Sequence, residues 1–320
     1  MNRSVLQALG AAALFGAGTP FAQRLGVELP PLLLGGLLYL GSGIGLSGAR
    51  LLRDRGWAAP GIARADWPWL LGAIFFGGLL GPVLLMFGLR HASAASASLL
   101  LNLESVLTAL IAWLVFKENA GRRPLLGMAA IVAGGVVLSW PRAGSSAAGD
   151  LIGPAAIAAA CLCWAIDNNL TRRVSAADAL FIAAIKGLIA GTVNTALAFA
   201  FGVGVGHALP AALNAMTVIA AMSLGLLSYG ASLVLLVLAL RGLGAARTGA
   251  YFSTAPFIGA AVSLLLFGEP ASAAFWAAAA LMAVGVWLHL TERHEHEHSH
   301  GDLRHTHPHY PDAEHRHAHD

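Results

Sequence analysis

Apolar residues run through this chain in long blocks separated by short polar connections. A helix needs about 20 residues to cross about 30 Å of hydrocarbon. Ten blocks approach or exceed that length: 4–23, 31–52, 68–89, 92–116, 124–140, 151–171, 177–203, 213–239, 244–267 and 271–290. The longest polar connection within the blocks runs from Arg53 to Asp66, with no soluble domain inserted. The pattern predicts an all-α membrane protein with ten transmembrane helices. The first block resembles a signal peptide, but many similar blocks follow, so it reads as an uncleaved first span.

Composition agrees. The chain of 320 residues is 57% hydrophobic and 11% charged, against about 25% charged in a soluble domain. Its 38 glycines suit close helix approach in lipid, where small residues line the interfaces. Cys161 and Cys163 share one apolar block, which excludes a disulfide framework and reads as apolar filler.

The basic residues are segregated. With the N-terminus in the cytoplasm, the inner side carries Arg3, Arg50, Arg53, Arg55, Arg64, Lys117, Arg122, Arg123, Arg172, Arg173, Arg241 and Arg247. The outer side carries Arg24, Arg90 and Arg142. The bias predicts a multi-pass protein of the cell inner (plasma) membrane with both termini cytoplasmic. A net charge of +3 arranged in this way predicts no nucleic-acid partner.

The chain also repeats itself. A shift of 151 residues lays Gly88–Glu118 on Ala239–Glu269 without a gap. It matches Leu89 with Leu240, Arg90 with Arg241, Ala94-Ala95 with Ala245-Ala246, Ala109 with Ala260, Leu114 with Leu265, Phe116 with Phe267 and Glu118 with Glu269, and further on Gly134 with Gly285. Five helices per copy is an odd number, so the second copy is expected upside down, as two inverted five-helix repeats. The expected organisation is 1–142 for the first repeat, 150–290 for the second and 291–320 for a disordered, His-rich cytoplasmic tail.

Four stretches carry a family likeness: ALFGAGTPFAQRL (13–25), ASLLLNLESVLTALIAWLVFKE (97–118), CWAIDNNLTRRVS (163–175) and GAARTGAYFSTAPFIGAAVSLLLFGE (244–269). Together with the five-plus-five plan they resemble EamA-type transporters of the drug/metabolite transporter superfamily. The resemblance implies a carrier of amino acids, other metabolites, nucleotide sugars or drugs, often an exporter or exchanger. The family pattern often has Pro after the acid of its NLE stretch. Ser105 stands here instead and predicts a straighter fourth helix, whereas the second copy keeps Pro256.

Polar residues inside the spans carry the candidate chemistry. Glu104 lies near the middle of Ser98–Glu118, where an ionised carboxylate needs a partner, a proton or water. Thr108 shares its face and Asn102 points elsewhere. Glu104 is the candidate proton acceptor or amine ligand; a structural hydrogen bond to a neighbouring helix is the alternative. Asp167 and Lys186, on consecutive helices, lie at depths that let them meet as an intramembrane pair, either a structural salt bridge or a group with a gating or substrate role. Asn168, Asn169 and Asn194 can join that network. Arg247 either snorkels to the inner interface or anchors an anionic substrate group, with Tyr251 and Ser253 along the same route. Glu118 and Glu269 close equivalent helices and read as caps.

The tail holds His294, His296, His298, His300, His305, His307, His309, His315, His317 and His319, ten of the chain's 13 histidines, among seven acids and three arginines. Imidazole and carboxylate suit Zn, Ni, Co or Cu. No cofactor is required for transport. The reading is a secondary active transporter of small polar metabolites such as amino acids, working by alternating access with proton coupling and partnered by its substrate, the bilayer and a second copy in a homodimer. No phosphate-binding GxxxxGK[ST] loop is present, and no nucleophile–base constellation points to an enzyme. The alternatives are a divalent-metal (Ni, Co or Zn) transporter and a membrane metal sensor using the tail. The spans supply few metal ligands, since His91 and His289 lie near helix ends and His207 in a loop.

Overall fold

The structure is a computed structural model that describes residues 3–56, 59–116, 122–140, 147–201, 213–291, 295–300 and 303–308. The first half contains α1 (Arg3–Glu28), α2 (Pro31–Asp54), α3 (Trp67–Ala73), α4 (Gly81–Leu89), α5 (Ala94–Leu100), α6 (Leu103–Phe116) and α7 (Arg122–Ser139). The second contains α8 (Ala147–Val174), α9 (Ala179–Phe201), α10 (Ala215–Gly225), α11 (Ser232–Phe252), α12 (Ala255–Phe267) and α13 (Ala273–Leu290).

Among the described residues, eight segments are long and apolar enough to cross a membrane, not the ten expected. The other two, Leu125–Ser139 and Ala273–Leu288, are shorter apolar helices. They fall fifth and tenth in order and pack on one another. A Cβ on Gly134 would lie 2.7 Å from Met282 Cγ, and one on Gly285 would lie 2.6 Å from Ile131 Cγ1. The 151-residue shift carries Gly134 onto Gly285 and Ile131 onto Met282, so this contact is self-complementary, as at a two-fold axis. Leu114 and Leu265, another related pair, are 68% and 82% exposed.

Helical irregularities recur with nearly the same spacing. A π-helical segment, Ile74–Leu80, joins α3 to α4, and a second, Leu226–Ala231, joins α10 to α11. Breaks fall at Leu101–Asn102, between α5 and α6, and at Ser253–Thr254, between α11 and α12. The first of these corrects the expectation of one straight fourth helix. Asn102 Nδ2 donates to Leu99 O at 3.0 Å and Ser105 Oγ to Asn102 O at 2.8 Å. Side chains thus take carbonyls that the helical ladder would use, without any proline.

Two further expectations change. The turn placed between residues 239 and 244 is helical, because α11 runs on to Phe252. No proline or N-capping residue interrupts that stretch, whereas Ser93 caps α5 in the first half by accepting from Ser96 N. The tail is not wholly without structure. Glu295–His300 (β1) pairs antiparallel with Leu303–Pro308 (β2), since residues alternating in type fit the period of a strand. His294, His309, His315, His317 and His319 lie outside the described residues, as does Glu118.

Candidate substrate site

The π segment Ile74–Leu80 forms one wall of the polar interior. A π turn displaces the normal bonding pattern, and neighbouring helices take up the carbonyls at its centre. Gly77 O accepts from Tyr39 Oη at 2.8 Å and Trp164 Nε1 at 3.0 Å, while Gly78 O accepts from Asn194 Nδ2 at 3.1 Å. Helices α2, α8 and α9 each supply one donor. Phe15 of α1 joins them, with ring centroids 5.8 Å from Trp164 and 5.7 Å from Tyr229, and Tyr39 lies 5.5 Å from Tyr229. These aromatics are what sequence reasoning missed. Each looks like an ordinary apolar position, and only the bent π backbone makes Tyr39 and Trp164 into partners.

Asp167 sits against the same wall. A Cβ on Gly77 would fall 1.8 Å from Asp167 Oδ2, so only glycine admits the carboxylate there. Lys186 Nζ reaches Asp167 Oδ1 at 2.5 Å and Oδ2 at 2.7 Å, and Thr171 Oγ1 donates to Oδ1 at 2.8 Å. Both charged side chains are buried, and the pair is closed on itself. Asn168, Asn169 and Asn194 do not join it, contrary to expectation, because each turns to another helix.

Glu104 lies in the first turn of α6, directly after the break. Asn168 Nδ2 of α8 donates to Glu104 Oε1 at 2.8 Å. One turn on, Asn169 Nδ2 donates to Thr108 O at 3.3 Å and to Ala165 O at 2.8 Å. Glu104 and Thr108 therefore share the face turned to α8. Glu104 is half-buried, and among the described residues no cation pairs with it. Thr108 Oγ1 is buried without a hydrogen-bond partner among the described residues.

The remaining candidates lie apart from this face. Asn102 is buried and turned to α13, 3.7 Å from Met282 Sδ. Tyr251 packs with Ala8, Ala239 and Leu243. Ser253 Oγ donates back to Gly249 O at 2.9 Å. Among the described residues neither shares a hydrogen bond with Glu104. Arg247 lies on α11, with its side chain outside what the structure describes.

Polar contacts also tie the helix ends. At one end Arg53 Nη2 reaches Asp178 Oδ2 at 2.5 Å, Arg50 Nε reaches it at 3.0 Å, and Arg241 donates to Ser175 O and Ala177 O. At the other end Glu269 accepts from Ala94 N at 3.1 Å and Ala95 N at 2.9 Å, capping α5. Arg24 lies there over Phe267, 4.5 Å from the ring centroid.

A sequence model of the EamA-like transporter family matches residues 2–140 and, a second time, residues 151–291. The chain belongs to the EamA-like transporter family. An uncharacterized transporter of Methanothermobacter thermautotrophicus is 25% identical over 291 residues, covering 87% of this chain and 83% of the relative. A probable 4-amino-4-deoxy-L-arabinose-phosphoundecaprenol flippase subunit, ArnE of Pseudomonas aeruginosa UCBPP-PA14, is 38% identical over 110 residues, which is 34% of this chain and 91% of that subunit. A solved crystal structure aligns with a TM-score of 0.65 at 21% identity, over 89% of this chain and 94% of that one, a likeness of fold. This EamA-like transporter is thus a multi-pass membrane protein. Its family copies meet in the polar interior, since Glu104 belongs to the first and Asn168 to the second.

Proposed function

We propose that this EamA-like transporter is a secondary active carrier of small polar metabolites bearing an amine, amino acids among them, and that Glu104 is the group that binds the amine or carries the coupling proton. The observation that carries the reading is the Asn168–Glu104 hydrogen bond at 2.8 Å, which joins the two family copies. Motion of one copy against the other opens or closes that contact, and carriers built from repeats place the substrate at such a junction. The electrostatics favour Glu104 over Asp167. Lys186 already neutralises Asp167 at 2.5 Å, while Glu104 holds only a neutral amide and retains capacity for a cation. The unpaired Thr108 hydroxyl on the same face adds a hydrogen-bonding group. ArnE belongs to a flippase named for an amino sugar, in keeping with an amine-bearing substrate.

Alternating access follows as the mechanism. In one state the break before α6 presents Glu104 to one side of the membrane, and the partner state presents it to the other. The cluster around Asp178 gathers arginines at one end, which supports placing that end and both termini in the cytoplasm of a plasma membrane. The test is flux of labelled amino acids and other amines into proteoliposomes. Wild type is expected to carry an amine that Glu104→Gln does not. Equal flux of that amine through both proteins would remove Glu104 from the mechanism.

A further inference from the structure

We infer that α6 and the end of α11 form a gate that stands open here, and that it closes by seating Thr108 on Gly249 as the contact between Ser98 and Gly259 parts. The inference rests on the alternating-access reading above and names the residues that exchange.

The two family copies supply the argument. The 151-residue shift carries Ser98 onto Gly249 and Thr108 onto Gly259. A contact of α5 on α12 therefore has a counterpart, α11 on α6, with hydroxyl and glycine swapped between the partners. Only one of the two is made. A Cβ on Gly259 would lie 2.7 Å from Ser98 Oγ and 2.7 Å from Gly16 O, and Ser98 is fully buried. Around a Cβ on Gly249 nothing lies within 4 Å, and Gly249 is exposed. Among the described residues α5 packs along α12, while α6 makes no comparable packing on α11.

The backbones differ in the same place. In the first copy α4 stops at Leu89 and α5 starts at Ala94, where Glu269 of the second copy accepts from Ala94 N and Ala95 N. In the second copy α11 runs unbroken to Phe252, past Gly242 and Gly244. These glycines fall on His91 and Ser93 under the shift, so a bend there gives α11 the turn that its counterpart already has. One scaffold is thus held in two shapes. When each copy takes the other's shape the open end closes and the closed end opens. The Ser98 and Thr108 hydroxyls have no hydrogen-bond partner among the described residues, so neither pins its helix. The Glu269 cap is a polar tie that the exchange must break.

The test is oxidative cross-linking of the full-length protein in membranes, with Cys161→Ala and Cys163→Ala removing the native thiols. Thr108→Cys with Gly249→Cys is expected to form a disulfide as the gate closes, since that bond needs Cα atoms within about 7 Å. Its rate should exceed, by about tenfold or more, that of Thr108→Cys paired with Gly48→Cys, another position with open space around it. Adding Glu269→Gln, which weakens the cap on α5, should speed the first disulfide severalfold by shifting the balance toward the closed gate. A rate no greater than the control pair's, or one that Glu269→Gln leaves unchanged or slows, would overturn the gate. The assay contains no substrate, so failure here and failure of amine flux are told apart.

Discussion

Asn168 of the second family copy donates to Glu104 of the first at 2.8 Å, and the bond joins a carboxylate to a neutral amide. Nineteen residues after Asp167 in sequence, Lys186 gives that neighbouring acid a full countercharge at 2.5 Å. Two acids in the polar interior thus have different partners, one a buried lysine and the other a neutral amide.

Function should separate the two acids. Glu104→Gln preserves shape and a hydrogen-bonding group, so the protein should elute and unfold as wild type does while losing amine flux. Asn168→Ala should reduce flux about tenfold, the size of one hydrogen bond to a charged group. Proteoliposome flux and thermal unfolding in detergent, measured on the same preparations, check both expectations. Loss of fold in Glu104→Gln would make the acid structural.

Stability should fall when Lys186 alone is removed. Lys186→Met leaves the Asp167 carboxylate buried without its cation, a change that costs about 3–5 kcal/mol in a buried pair. Lys186→Met combined with Asp167→Asn should recover most of that loss, since neither charge then remains. Unfolding temperatures of the two single variants and the double variant measure the coupling. Losses that simply add would show that the two groups act separately.

Acid should weaken the helix-end cluster. The hydrogen bond from Arg53, with those from Arg50 and the Leu180 N–H, holds the Asp178 carboxyl well below the usual carboxylate range. Its folded value lies beneath its unfolded one, so its contribution is full above about pH 4 and drains away as pH falls below that. Asp178→Asn should lower stability at neutral pH by about 1–3 kcal/mol and flatten the decline on acidification. A gap between variant and wild type that stays constant from neutral to acid pH would show that this carboxylate is not the titrating group.

Helix spacing gives a prediction with an internal control. A Cβ at Gly16 would lie 2.1 Å from Ala255 O, a backbone atom that cannot swing aside, whereas at Gly48 nothing lies within 4 Å. Gly16→Ala should reduce the yield of monodisperse protein and its unfolding temperature. Gly48→Ala should be neutral or stabilise by up to about 1 kcal/mol through helix propensity. Size-exclusion profiles and thermal melts distinguish the two. Equal behaviour would mean that the close approach of α1 and α12 is relaxed in the folded protein.

Much of this architecture was legible because the bilayer writes it in long runs. Blocks such as 31–52 and 151–171 are apolar for as long as hydrocarbon demands, and Asp167 and Lys186 stood out as charges that needed each other. The break at Leu101–Asn102 was not legible, since Asn102 and Ser105 look like ordinary polar residues until their side chains are seen bonded to local carbonyls. The π segments were equally silent. Their extra residue leaves the apolar pattern of Ile74–Leu80 intact, and Tyr39 and Trp164 acquire a common acceptor only once that backbone is bent. The continuity of α11 past residue 243 was hidden by Gly242 and Gly244, which resemble a turn but permit a helix.

The hydrogen bond between Glu104 and Asn168 also says something about ancestry. Under the 151-residue shift Glu104 falls on Ala255, Asn168 on Ala17, Asp167 on Gly16 and Lys186 on Gly35. A dimer of two first halves would bring two acids against two alanines, and a dimer of two second halves would lack the acid altogether. The two family copies share a scaffold, but the Glu104–Asn168 hydrogen bond needs one of each. Duplicating either half in place of the other should therefore leave a protein without the acid–amide contact that joins the two copies.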